Sequence, residues 1–120
     1  MKVLLIGDLI LDNYIFGDVS RISPEAPIPV LDYIKEKFVL GGALNVARNL
    51  NNLDNHVYSV GILGKDDAAN SVSDIMNEEN LSTDFIVYDN QSITSKKTRF
   101  IASNQQLLRL DVESNTFSKK

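Results

Sequence analysis

The stretch richest in groups that could hold a ligand is Gly41-Gly42-Ala43-Leu44-Asn45-Val46-Ala47-Arg48-Asn49-Leu50. Two glycines open a helical pattern, and Asn45 follows one turn in. A helix start presents unpaired backbone N–H groups and a partial positive charge, which suit a polar or anionic ligand. Paired glycines lack the Cβ atoms that would hold such a ligand away from the backbone. The same residues would also serve a loop–helix junction whose glycines only allow close packing. Two carboxylates, Asp8 and Asp12, follow the apolar run Val3–Ile6. That is the carboxyl end of a first strand, where ligands gather in open α/β sheets. Otherwise they are a turn aspartate and a solvated loop aspartate. His56, the sole histidine, begins a strand beside a turn and reads as structural or solvated, with no Cys or second His to complete a metal site.

Composition narrows the chemistry. The 120 residues are 43% hydrophobic and 23% charged, in the range of a folded domain or a piece of one. A net charge of −4 gives no electrostatic reason to expect nucleic acid or an anionic membrane as partner. Cysteine is absent, which removes disulfides, thiolate metal sites and thiol nucleophiles and fits a reducing compartment. Asp8 and Asp12 interrupt the N-terminal apolar run, so it resembles neither a signal peptide nor a membrane helix of about 20 residues. The expected location is cytoplasmic.

The elements that must position these groups follow from periodicity. Val3–Ile6 is continuously apolar and predicts a strand buried on both faces, as in a parallel sheet. Leu9–Gly17 predicts a second short strand. Pro24, Pro27 and Pro29 then fix φ and withhold donors, so residues 18–30 form an extended excursion or an edge. Residues 30–39 regain imperfect strand alternation. Ala43, Val46, Ala47, Leu50 and Leu53 form the apolar stripe of a helix that Asp54-Asn55 stops. A strand over 56–64, a helix with Ala69, Val72, Ile75 and Met76 on one stripe, and a strand within 82–89 come next. This alternation builds right-handed βαβ units and a parallel sheet. Residues 92–111 break the rhythm with a hairpin that turns at Asn104-Gln105. Together with residues 30–39 it is expected to form a small projecting sheet, one apolar face of which needs cover, for instance from the same sheet of a second subunit. A parallel sheet with two helices leaves edges and one face open, so the chain is expected to be the N-terminal part of a longer protein. Alone it should be marginally stable and prone to aggregate.

Four runs taken together carry a resemblance: Gly7-Asp8-Leu9-Ile10-Leu11-Asp12-Asn13-Tyr14, Gly17 through Val30, Gly41 through Ala47, and Lys97-Thr98-Arg99 with Asn104 through Asp111. They closely resemble the start of the ribokinase-like (PfkB) sugar kinases, and among these the heptose 7-phosphate kinase domain, found alone or fused to an adenylyltransferase. The glycine–asparagine element is shared widely in that superfamily. The Asp-Val-Ser-Arg-Ile-Ser-Pro-Glu-Ala-Pro and Asn-Gln-Gln-Leu-Leu-Arg-Leu-Asp runs are more specific. Leu44 stands where members often have Ala, and Asn13 where many have Arg; the first touches helix packing and the second the approach to the lid.

The resemblance implies the N-terminal part of a three-layer α/β/α fold, residues 1–120, with lid segments at about 13–39 and 92–111 and the remainder of the domain absent. It implies ATP-dependent phosphorylation of heptose 7-phosphate at the anomeric hydroxyl for lipopolysaccharide synthesis, with ATP and Mg2+ serving the full-length enzyme and none bound by this piece. It implies a homodimer through the lid sheet. The acceptor residues would be Asp8, Asp12, Gly41, Gly42 and Asn45 for the hydroxyls, and Lys97 and Arg99, with Arg109 as a lesser candidate, for the phosphate. The cations could instead protect an edge strand. The catalytic aspartate of this kinase class lies in a Gly-Ala-Gly-Asp-type motif that does not occur here, so this piece alone is expected to be inactive. Two other readings are a sugar-binding or dimerisation module without catalysis, and a ribokinase-like kinase of another sugar or nucleoside.

Overall fold

The computed structural model describes residues 1–113; the polar C-terminal residues, Lys119 and Lys120 among them, lie outside the described residues. The order is β1 (Lys2–Ile6), β2 (Leu9–Ile22), β3 (Pro29–Gly42), α1 (Ala43–Asn52), β4 (His56–Gly64), α2 (Asp67–Glu78), β5 (Ile86–Asp89), β6 (Ser95–Ala102) and β7 (Gln105–Val112). The strands form two sheets. β1, β4 and β5 lie side by side and parallel, in the order β1-β4-β5, as the βα alternation predicts. The second sheet has the order β3-β2-β6-β7. Its centre is a parallel pairing of β2 with β6, flanked by antiparallel β3 and β7. The hairpin and the earlier excursion therefore do join in one sheet, but through β2.

Helices α1 and α2 cover one face of the parallel sheet. Leu44 of α1 and Ala69, Val72 and Met76 of α2 pack with Leu63 of β4 and with Leu9, Leu11 and Leu40 from the base of the second sheet. Among the described residues, nothing covers the opposite face. In register, Leu4 lies beside Tyr58, Ile6 beside Val60 and Ile62 beside Val87, and Leu4, Ile6, Ile62 and Val87 are all exposed. The expectation of a first strand buried on both faces thus holds for one face only, because both helices sit on the same side.

Three boundaries differ from the sequence reading. β2 does not stop at Gly17; it runs to Ile22, bent by register shifts after Phe16 and Val19. Pro24 and Pro27 then occupy the loop, and Pro29 is the first residue of the edge strand β3, where a missing donor is tolerated. In α1 the buried residues are Leu44 and Ala47, while Val46 and Leu53 are exposed. The apolar face is rotated from the expected stripe: Leu44 and Ala47 face the core, with Ala43 partly buried against it. The β6–β7 turn is Ser103-Asn104, both at positive φ, one residue before the expected Asn104-Gln105. That pair of left-handed residues matches the twist of a two-residue hairpin.

Candidate functional site

Strand pairing brings most of the candidate residues onto one face of the second sheet. Side chains of directly paired residues share a face, and the face repeats every two residues. Asp12 of β2 pairs with Val39 on one side and Lys97 on the other, and Lys97 pairs with Asp111. The next row is Lys37, Tyr14, Arg99 and Arg109. Asp12, Lys97, Arg99 and Arg109 are therefore neighbours, although 87 residues of sequence separate Asp12 from Arg99.

The centre of this face is an ion pair. Arg99 Nη1 donates to Asp12 Oδ1 at 2.9 Å, and the two side chains are 21% and 18% exposed. The Arg99 guanidinium lies over the Tyr14 ring, 5.3 Å from its centroid, within cation–π range. The hydrogen bond to Asp12 holds the Arg99 pKa above its usual value; burial opposes this, and the Asp12, Tyr14 and Asp111 charges add to it. Arg109 is tied to Asp111 on its own strand at 3.0 Å.

Gly41 forms the floor beneath Asp12. A Cβ at Gly41 would land on Asp12 Oδ2, so only glycine leaves the carboxylate where it is. Gly42 adopts φ 59°, and a Cβ there would meet the Asp8 carbonyl oxygen. That carbonyl accepts from Ala43 N at 2.9 Å and fastens the end of β1 to the start of α1. Among the described residues no side chain caps α1, whereas Asp66 Oδ1 accepts from Ala69 N at the start of α2. The Gly41-Gly42 start is thus the open one of the two.

Asp8 and Asn45 lie at this helix start, yet no hydrogen bond joins either side chain to the Asp12–Arg99 pair among the described residues. Asn45 Oδ1 accepts from Arg48 Nη2 at 2.7 Å along the helix surface. Asn13, expected near the lid approach, is buried on the opposite face with Leu11, and its Oδ1 has no partner among the described residues. Tyr14 and Lys37 were not singled out in the sequence; counting in twos from Asp12 would have found Tyr14, whereas Lys37 reaches the face through its pairing with Tyr14. A hollow of about 430 Å³ lies elsewhere, at the start of α2 between Gly64, Asp66, Asn70 and Tyr88. It holds none of the candidate residues. Burial pushes the Asp66 pKa up, but the backbone N–H groups of Thr94 and Ala69 and the Thr94 hydroxyl outweigh it and hold it below the usual value.

A sheet of parallel βα units with a second sheet projecting from it is the architecture of the ribokinase-like kinases. Arabidopsis thaliana ribokinase, solved with ribose and ATP, superposes with a TM-score of 0.73 at 19% identity, over 95% of this chain and 36% of that one. Halothermothrix orenii fructokinase superposes with a TM-score of 0.64 at 22% identity, over 95% and 38%. The family model for pfkB family carbohydrate kinases matches residues 2–120, and the chain belongs to that family. Among curated relatives, the bifunctional protein HldE of Aliarcobacter butzleri is 46% identical over 94% of this chain and 24% of its own length. The D-beta-D-heptose 7-phosphate kinase of Bordetella bronchiseptica is 44% identical over 93% of this chain and 36% of its own. The chain therefore spans about a quarter to a third of the length of the curated relatives it matches.

Proposed function

We propose that this chain is the acceptor-binding part of a kinase that phosphorylates D-glycero-D-manno-heptose 7-phosphate at its anomeric hydroxyl. The product would be the 1,7-bisphosphate, on the route to ADP-heptose for the lipopolysaccharide core. The observation that supports this reading is the placement of Asp12 over Gly41, with Lys97 and Arg99 on the same face. A carboxylate with two acceptor oxygens suits the hydroxyls of a sugar, and cations one strand away suit its phosphate. The names of the relatives add heptose 7-phosphate as the acceptor. Asp8, Gly42 and Asn45 would line the same site from the start of α1.

ATP and Mg2+ are assigned to groups other than these. The glycine-rich aspartate motif of the class does not occur in this sequence. No step of phosphoryl transfer is therefore assigned to residues of this chain; they bind and orient the acceptor. No helix among the described residues is long and apolar enough to cross a membrane, and a cytoplasmic setting is part of the proposal. So is a homodimer through the second sheet. There Val19, Pro29, Leu31, Phe100, Leu107 and Leu108 line an apolar groove of about 330 Å³, which a second copy would cover.

Calorimetric titration with heptose 7-phosphate and with ATP checks the acceptor assignment. The chain is expected to bind the sugar phosphate, and Asn45→Ala to weaken that binding several-fold, the loss of a hydrogen bond to a sugar hydroxyl, with ATP binding affected less. Binding that Asn45→Ala leaves unchanged would remove Asn45 from the site. For the dimer, Leu108→Glu is expected to give a monomer in sedimentation; a chain already monomeric at high concentration would count against the clasp.

A further inference from the structure

The carboxylate that the acceptor reading requires is already engaged. Asp12 Oδ1 accepts from Arg99 at 2.9 Å, and both side chains are about four-fifths buried. A neutral sugar that claimed this carboxylate would leave the Arg99 guanidinium facing a half-buried site with its counter-charge shared or lost. Removing one partner of a poorly solvated ion pair is far costlier than exchanging it. A phosphomonoester brings a replacement. Its two negative charges and three acceptor oxygens match the donor fork of arginine better than one carboxylate does. The surroundings favour that exchange: Lys97 and Lys37 share the face, and among the described residues neither makes a salt bridge. Arg109 is turned along its strand to Asp111. Tyr14 supports the guanidinium from below, so Arg99 keeps its place when its partner changes.

We propose that the Arg99–Asp12 ion pair is a phosphate-released latch that makes this site select phosphorylated sugars. The phosphate takes Arg99, and the freed Asp12 carboxylate accepts the sugar hydroxyls. No covalent bond changes. Arg99 is then the residue that sets specificity for a sugar phosphate over the free sugar. The inference rests on the acceptor reading above. Its rival is a purely positioning Arg99, which would stay on Oδ1 throughout while Oδ2 alone met the sugar.

Inorganic phosphate, titrated calorimetrically into the chain, separates the two without any sugar. With the latch, Asp12→Asn frees Arg99 and raises phosphate affinity about tenfold, the scale of one charge-assisted bond. Asp111→Asn, which removes the same charge from an exposed pair on the same face, changes it by less than about threefold. Arg99→Gln loses phosphate binding, and Arg99→Lys retains part of it. Phosphate affinity that Asp12→Asn leaves unchanged, absent binding by both proteins included, overturns the latch, as does an equal gain from Asp111→Asn. A second measurement compares free heptose with heptose 7-phosphate. Arg99→Gln should collapse the preference for the phosphorylated sugar, whereas an equal loss for both sugars makes Arg99 a positioning residue and overturns the proposal. If the unsubstituted chain binds neither sugar, the acceptor reading fails, and the phosphate titration still decides the latch.

Discussion

Gly41 and Asp12 show how closely single residues constrain this face. The Asp12 carboxylate lies against the Gly41 Cα, so Gly41→Ala must displace either the strand β3 backbone or the carboxylate itself. The carboxylate is the softer of the two, and its displacement also breaks the bond to Arg99. Gly41→Ala is expected to lower stability by about 1–3 kcal/mol, the range for an added methyl group without room. Sugar-phosphate affinity should fall by a larger factor than stability alone explains. Thermal unfolding and calorimetry on the same protein test this; unchanged affinity would mean that Asp12 does not need its seat. Asn13, next to it in sequence, teaches the opposite lesson. Strand alternation sends it to the core side at 2% exposure, away from the face of Asp12 and Arg99. A polar residue type in a promising run is thus no guide to its direction; its parity along the strand is.

At the scale of elements, the two helices begin differently, and the difference can be measured. Asp66 caps α2 through Ala69 N at 2.9 Å and also accepts from Thr94 N at 3.0 Å, which ties the helix to the segment entering β6. Asp66→Ala should cost about 1–2 kcal/mol, as for a lost N-cap with a second bond beside it. The backbone and hydroxyl donors of Thr94 and Ala69 hold the folded-state pKa of Asp66 below its ordinary value, so the folded chain binds fewer protons than the unfolded one in the carboxylate range. Its contribution is complete above the unfolded value and is lost as pH falls through the folded one. Asp89, whose carboxylate accepts from Gln91 N and the Ser92 hydroxyl, shifts in the same direction. Asp66→Asn keeps a capping oxygen but cannot titrate, so denaturant unfolding against pH should show a shallower loss below about pH 4. An unaltered acid limb would place that dependence elsewhere. The helices, the parallel strands and the second sheet were legible because periods of 3.6 and 2 leave traces in sequence. The central β2–β6 pairing was not, since nothing local records a partner more than eighty residues away. The face that α1 turns to the core was also hidden, because Leu44 packs with residues of α2, β4 and the second sheet that only the tertiary fold brings to it. Asp8, Asp12, Gly41, Gly42 and Asn45 stood out by their types and by where elements end; Lys37 joins the face only once the strands are registered.

The whole molecule is asymmetric in its cover. Its extents are 55 × 38 × 18 Å, and the shortest leaves room for one sheet and one layer of helices. All of the clustered core lies on the helical side, while the other face of the parallel sheet presents a continuous apolar surface from Leu4 and Ile6 through Ile62 to Val87. An apolar sheet face without cover favours self-association. The helical side and the bare side should therefore respond oppositely to substitution. Leu63 on β4 is fully buried, and Leu63→Ala should cost about 2–5 kcal/mol. Ile6 on β1 is 73% exposed, so Ile6→Lys should change folding stability by no more than about 0.5 kcal/mol. It also places a charge in the middle of the bare strand face, where any second molecule would have to desolvate it. Ile6→Lys is thus expected to raise the concentration at which the chain stays monomeric, with its unfolding midpoint in denaturant nearly unchanged. Light scattering across a concentration series, paired with the denaturant curve, reads both quantities. A large loss of stability in Ile6→Lys would show that this face is already covered within the chain, and the two-layer architecture would have to be redrawn.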